Sequence, residues 1–133
     1  METIKLDRLE FESENNTFFK PHILFDAETG ECLIEGESYL EDTWEFYSKP
    51  MEWLRAYTTA EVKKPIDFKF KLSYFNTSSS KCILDILKLL KQYQENGGEV
   101  TVSWYYPEDD EDNLMEAEDF IADTGIDMKL VEY

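Results

Sequence analysis

The stretch DFKFKLSYFNTSSSKCILDILKLLKQYQENGGEVTVSWYY, Asp67 to Tyr106, decides the fold. Phe68, Phe70 and Leu72 alternate with Lys69, Lys71 and Ser73, the period-two pattern of a strand with one buried face. Asn76-Thr77-Ser78-Ser79-Ser80 breaks that alternation. After it, Ile83, Ile86, Leu87, Leu90 and Tyr93 recur with the spacing of one helical face. Asn96-Gly97-Gly98 ends the helix, because glycine enters the left-handed cap conformation at little cost. Val100 to Tyr105 is again extended. A strand, a helix and a strand in succession require a right-handed crossover and hence a parallel pair.

The flanks extend this pattern. Pro107 to Asp112 opens a third helix through Asp123, with Leu114, Ala117, Phe120 and Ile121 inward, Gly125 as its stop and Met128 to Val131 as a last short strand. Upstream, His22 to Asp26 and Cys32 to Glu35 are extended runs joined by Ala27-Glu28-Thr29-Gly30, which reads as a hairpin. Gly36-Glu37-Ser38-Tyr39 then leads to a helix from Asp42 or Thr43 to Tyr57, with Trp44, Tyr47, Met51 and Leu54 on one face. Pro50 interrupts it. Proline costs a helix interior about 3 kcal/mol, which predicts a kink or restart near Ser48. Ile4, Leu6, Leu9 and Phe11 form an apolar series suited to a first strand or a docked arm. The expectation is one α/β domain over residues 1–133, a mixed, mostly parallel sheet with an N-terminal β-hairpin and about three helices covering it.

Composition narrows the function. A net charge of −17, from 30 acids against 13 Lys+Arg, repels phosphate backbones and anionic lipid. Nucleic acid and membrane insertion are therefore not expected; a basic protein partner is favoured. Met1 to Glu14 has no apolar core of a signal peptide, and no apolar run approaches membrane-spanning length, so the cytoplasm is the expected compartment. Cys32 and Cys82 lack C-x-x-C spacing, and Cys82 reads as a small apolar filler.

Chemistry in the chain is sparse. Ser78-x-x-Lys81 matches the S-x-x-K pattern of penicillin-binding enzymes, but nothing like their S-D-N or K-T-G accompanies it. His22 is the sole histidine, set in a strand far from any G-x-S-x-G elbow. Glu108-Asp109-Asp110-Glu111-Asp112 lacks the alternating ligands and sixth-position glycine of a calcium loop, and acids in a first helical turn complement the helix dipole. A small metal-dependent hydrolase using Asp109 to Asp112 is the enzymatic alternative. No cofactor is expected.

The hydroxyl row is the better candidate. Parallel strands deliver their strand-to-helix loops to one sheet edge, where open α/β folds usually bind ligands. Three loops would meet there: Gly36 to Tyr39, Asn76 to Ser80, and Tyr105 to Asp112. One Ser or Thr suffices to cap a helix, yet Thr77, Ser78, Ser79 and Ser80 stand together after Asn76. A helix start also favours a phosphorylated side chain. In a constitutive scaffold Thr77 is only a cap, and Thr77→Ala loses about 1 kcal/mol without changing any signal.

Gly36-Glu37-Ser38-Tyr39, Trp53-Leu54 with Tyr57, Tyr74-Phe75-Asn76-Thr77-Ser78-Ser79, and Val102-Ser103-Trp104-Tyr105-Tyr106 followed by acids resemble the SiaC family of bacterial regulatory phosphoproteins. The similarity runs from Gly36 to the end of the chain; Leu40 stands where that pattern has Pro. The resemblance implies a STAS-like fold, like that of anti-sigma factor antagonists, and no catalytic activity. It puts the phosphorylated threonine on Thr77, with Asn76, Ser78, Ser79 and Ser80 flanking it. It further implies a serine/threonine kinase and a metal-dependent serine/threonine phosphatase as partners. The unphosphorylated form would bind and activate a diguanylate cyclase, in cyclic-di-GMP and biofilm signalling. Glu37, Ser38, Tyr39, Tyr105 and Tyr106 are the expected partner-binding residues.

Overall fold

The computed structural model describes residues 8–11, 14–15 and 19–133. Ile4 and Leu6, assigned above to a first strand or arm, lie outside the described residues. The elements in order are β1 (Leu9–Phe11), β2 (Glu14–Asn15), β3 (Phe19–Lys20), β4 (His22–Phe25), β5 (Glu31–Ser38), α1 (Thr43–Thr58), β6 (Ile66–Phe75), α2 (Thr77–Glu95), β7 (Val100–Tyr106), α3 (Glu111–Thr124) and β8 (Lys129–Glu132). One six-stranded sheet runs β1-β4-β5-β6-β7-β8, and β2 pairs with β3 apart from it. The pairs β1–β4 and β4–β5 are antiparallel; β5–β6, β6–β7 and β7–β8 are parallel. This is the mixed, mostly parallel α/β architecture expected, with its hairpin at β4 and β5.

Each parallel crossover carries one helix and steps one strand further in the same direction. Right-handed crossovers that all step one way leave every helix on the same face. Accordingly α1 packs on α2 and α2 on α3. The helical cover is one-sided. Ile34, Phe68, Phe70, Leu72, Val102 and Trp104 are buried beneath it, whereas Leu24, Leu33, Lys69 and Lys71 on the other face are only half-buried. The centre of the core is aromatic: Trp104 lies 5.2 Å from the ring of Phe70, 5.7 Å from Phe75 and 5.6 Å from Phe120.

Two expectations about α1 differ from the structure, the restart near Ser48 and the inward Trp44. The helix runs from Thr43 to Thr58 through Pro50, with no restart near Ser48. Pro50 is itself buried, flanked on the same helix by buried Tyr47, Met51, Trp53, Leu54 and Tyr57. Tertiary packing of that face offsets what the missing backbone N–H costs. Trp44, counted on the inward face, is 56% exposed. Asp42 caps the helix by accepting from the Glu45 N–H at 3.2 Å, and the buried face begins at Thr43, one residue earlier than the periodicity suggested.

Cys32 and Cys82 are both free and buried, and burial raises both thiols above their ordinary range. They behave as apolar filler. No described helix is long and apolar enough to cross a membrane.

Candidate functional site

The row Asn76 to Ser80 joins the end of β6 to α2, beside the end of β5. The cap of α2 is Asn76. Its side-chain oxygen accepts from the Ser79 N–H at 3.0 Å, its amide donates to the Leu40 carbonyl at 3.0 Å, and its backbone N–H donates to the Ser38 carbonyl at 3.0 Å. One asparagine thus ties the helix start to the loop between β5 and α1.

Two of the serines that follow, Ser78 and Ser79, are held by the same neighbours. Ser79 and Ser38 are both 0% exposed. The Ser79 hydroxyl donates to the Ser38 carbonyl at 3.0 Å and lies 2.7 Å from the Ser38 hydroxyl, which lies 2.8 Å from that of Tyr47. One proton order satisfies all of them: Tyr47 donates to Ser38, Ser38 to Ser79, and Ser79 to the carbonyl. Chains of this kind polarise one another and are strengthened by a low-dielectric surrounding. Burial pushes the Tyr47 phenol up, only partly offset by Ser38, so it stays a neutral donor. Tyr47→Phe removes the head of the chain and is expected to cost about 1 kcal/mol, read as a fall in midpoint temperature of roughly 3–5 °C in thermal denaturation.

Ser78 is engaged as well, 2.6 Å from the Thr43 hydroxyl at the start of α1 and donating to the Asn76 side chain at 3.2 Å. Thr77 differs. It is exposed, it is the first residue of α2, and its hydroxyl has no hydrogen-bond partner among the described residues. Alone of the three described helices, α2 has no acid in its first turn.

Thr77 opens onto a cleft of about 290 Å³ between α2 and α3. Phe75 and Phe120 form its apolar walls, Asn76, Thr77 and Ser80 one polar side, and Glu116, Asp119 and Asp123 the other. Three carboxylates and no basic side chain line it. Burial, and then the charges of Asp110, Asp112 and Asp119, raise the Glu116 carboxyl above its ordinary range.

The other expected site residues are divided by the fold. Glu37 and Tyr39 are exposed beside the hydroxyl row, whereas Ser38 faces inward and supports the row from beneath. Tyr105 and Tyr106 are half-buried at the end of β7; Trp104 points into the core, so Tyr105 faces the helix-free side of the sheet, away from Thr77. In the acidic run, Asp110 caps α3 by accepting from the Asn113 N–H at 3.1 Å. Among the described residues no group of three His, Cys, Asp or Glu side chains is placed to hold a metal ion.

Three residues were missed. Tyr74 is 50% exposed with its ring 6.1 Å from that of Tyr39, and Trp44 follows Thr43 at the start of α1. Asn113 is buried, accepting from the Trp104 indole at 2.7 Å and donating to the Leu72 carbonyl at 2.8 Å. The strand alternation that buries Leu72 and Phe75 around a register shift could have flagged Tyr74; nothing local singles out Asn113.

The scaffold is a small mixed α/β domain with a capped hydroxyl row at one sheet edge, and such a fold by itself fixes no chemistry. Residues 13–133 match the model of the SiaC family regulatory phosphoprotein, and the chain belongs to that family. It is 32% identical over 103 residues to an uncharacterized protein of Pseudomonas aeruginosa strain UCBPP-PA14, covering 77% of this chain and 81% of that one. The structure of SiaC of Pseudomonas aeruginosa superposes with a TM-score of 0.85 at 27% identity, over 96% of this chain and 99% of the other. SiaC in a crystal structure of the diguanylate cyclase SiaD in complex with its activator SiaC, from the same organism, superposes with a TM-score of 0.82 at 28% identity, over 92% of this chain and all of that one.

Proposed function

We propose that this chain is a non-catalytic cytoplasmic regulator that binds and activates a diguanylate cyclase, and that phosphorylation of Thr77 blocks the binding. A serine/threonine kinase adds the phosphate and a metal-dependent phosphatase removes it. One observation carries the reading: within the row, Thr77 is the exposed hydroxyl with no hydrogen-bond partner among the described residues. Asn76 supplies the cap, and Ser78 and Ser79 are held in hydrogen bonds. The kinship with an activator seen bound to a diguanylate cyclase supports the partner class.

The physical effect is local. Phosphate adds about −1.5 to −2 charges and three strong acceptors. The adjoining cleft lines up three carboxylates and no cation, so it offers the group no internal counter-charge. The phosphate therefore stays at the surface, where a partner shaped to a neutral hydroxyl must desolvate it. A tenfold loss of affinity needs only about 1.4 kcal/mol.

The test combines stability and binding. Thr77→Ala should leave the unfolding midpoint nearly unchanged, whereas Asn76→Ala should lose about 1 kcal/mol as a lost cap does. Protein phosphorylated at Thr77 should bind the host's diguanylate cyclase at least about tenfold more weakly than the unmodified chain, a difference of about 1.4 kcal/mol. Equal binding by the unmodified, Thr77→Glu and phosphorylated forms would sink the switch and leave a constitutive scaffold.

A further inference from the structure

The surface around Thr77 has a composition of its own. Between Glu37 and Glu45 the chain exposes Glu37, Glu41, Asp42 and Glu45 and contains no basic residue. Across the helix start, Glu116, Asp119 and Asp123 line the cleft. Three rings at this end of the sheet are exposed: Tyr39 at 40% and Tyr74 at 50%, 6.1 Å apart and turned by strand alternation to the helix-free face, and Trp44 at 56% at the start of α1. The Thr43–Ser78 hydrogen bond fixes the start of α1, and with it Trp44, against the start of α2. The basic residues of these two helix starts are Lys49 and Lys81, each further along its helix.

Large exposed aromatic residues are the anchors that carry binding energy in protein interfaces. Exposed carboxylates beside them in the sequence, Glu37 and Glu41 flanking Tyr39 and Asp42 and Glu45 flanking Trp44, select the charge of what docks. We infer that this rim receives a basic segment of a protein partner, presenting arginine or lysine side chains to Trp44, Tyr39 and Tyr74 and to the flanking acids. Arginine suits it best, because a guanidinium stacks on an aromatic face while its N–H groups fork onto a carboxylate. Other occupants meet the same charges. A second copy of this chain would set acid against acid across a two-fold contact, and the net charge of −17 repels nucleic acid and anionic lipid. The inference rests on the proposed function for its location, an interface around Thr77, and not for the identity of the partner.

The two claims separate in one experiment. The photo-crosslinking amino acid p-benzoylphenylalanine is placed at position 44 or 74 of the full chain in its native host. Val62, 71% exposed between α1 and β6, serves as the control position. Adducts are expected from 44 and 74 and not from 62, and mass spectrometry should map them to a segment in which Arg and Lys outnumber Asp and Glu. A neutral or acidic segment, a second copy of this chain, or no adduct above the Val62 control overturns the inference. A basic segment on a protein other than a diguanylate cyclase keeps this inference and removes the proposed cyclase. A neutral segment on a cyclase does the reverse. With the captured partner purified, Trp44→Ala should weaken binding about tenfold. The combined Glu37→Gln, Glu41→Gln and Glu45→Gln variant should slow association and flatten its salt dependence while leaving the dissociation rate nearly unchanged. Retained affinity in the first, or an unchanged salt dependence in the second, counts against the basic segment.

Discussion

Asn113→Ala is expected to lower the unfolding free energy by about 3 kcal/mol, from the 1–3 kcal/mol that each buried orphaned polar group costs. Asn113 accepts from the indole N–H of fully buried Trp104 and donates to the carbonyl of Leu72. That carbonyl needs a side-chain donor for a topological reason. The β6–β7 ladder ends at Phe70 and Trp104, so Leu72 lies beyond its last pair. Alanine would strand one donor and one acceptor in the core at once. Chemical denaturation should show a lower midpoint with an unchanged slope; a loss under about 1 kcal/mol would mean that water reaches both groups. Asn113→Asp sharpens the test. A carboxylate can accept from Trp104 but faces the Leu72 carbonyl, and burial together with that oxygen favours its protonated form. Its pKa in the fold would therefore lie above the unfolded value, so the deficit should be largest at neutral pH and shrink as pH falls through the raised pKa.

Gly30→Ala should be of comparable severity, about 3 kcal/mol, by adding a steric clash to a strained backbone. Gly30 closes the β4–β5 hairpin at φ +76°, donating its N–H to the Asp26 carbonyl at 2.8 Å. A Cβ there would stand 2.1 Å from the Pro65 carbonyl oxygen and 2.9 Å from the Tyr57 hydroxyl. Those two groups are hydrogen-bonded to each other at 2.9 Å, so the methyl must part the hairpin from the segment leading into β6. Gly36→Ala is the matched comparison. Gly36 has φ +108°, but its nearest neighbour to an added Cβ is 4.0 Å away. The second substitution reads backbone strain alone, and the difference between the two midpoints reads the clash. Equal losses would mean that the Pro65 segment yields without cost. Against a typical total stability of 5–15 kcal/mol, either loss at Gly30 or Asn113 is a large fraction.

What could be read from the chain depended on how local the cause was. The alternation at Phe68, Phe70 and Leu72, the helical spacing from Ile83 to Tyr93 and the glycine stops are set by neighbours in sequence, and their elements appear where expected. The restart expected near Ser48 does not occur, because the local rule counts a missing hydrogen bond and is blind to the packed face that holds the helix on either side of Pro50. Trp44 was misread because it lies about 100° round the helix from Thr43, at the margin of the buried face that Tyr47, Met51 and Leu54 occupy as expected. The burial of Ser38 and the role of Asn113 depend on partners 41 residues away in each case, a distance no pattern along the chain encodes. The four sequence blocks shared with the SiaC family singled out Thr77 as a site; composition alone could not separate it from its serine neighbours. In the fold Asn76 takes the cap and Ser78 and Ser79 are hydrogen-bonded, whereas Thr77 is exposed and Ser80 half-buried, neither hydroxyl having a partner among the described residues.

That division between Asn76 and Thr77 bears on how such a protein could be maintained in a cell. A cap that doubled as the modified residue would lose a hydrogen bond at each modification, and the modified pool would unfold and be degraded faster. Here the proposed phosphate on Thr77 would replace none of the hydrogen bonds of the cap or of the Tyr47–Ser38–Ser79 chain. Under the proposed switch, turnover of the chain and occupancy of the hydroxyl would be independent quantities: the amount of protein would stay constant while its state was rewritten many times within one molecule's lifetime.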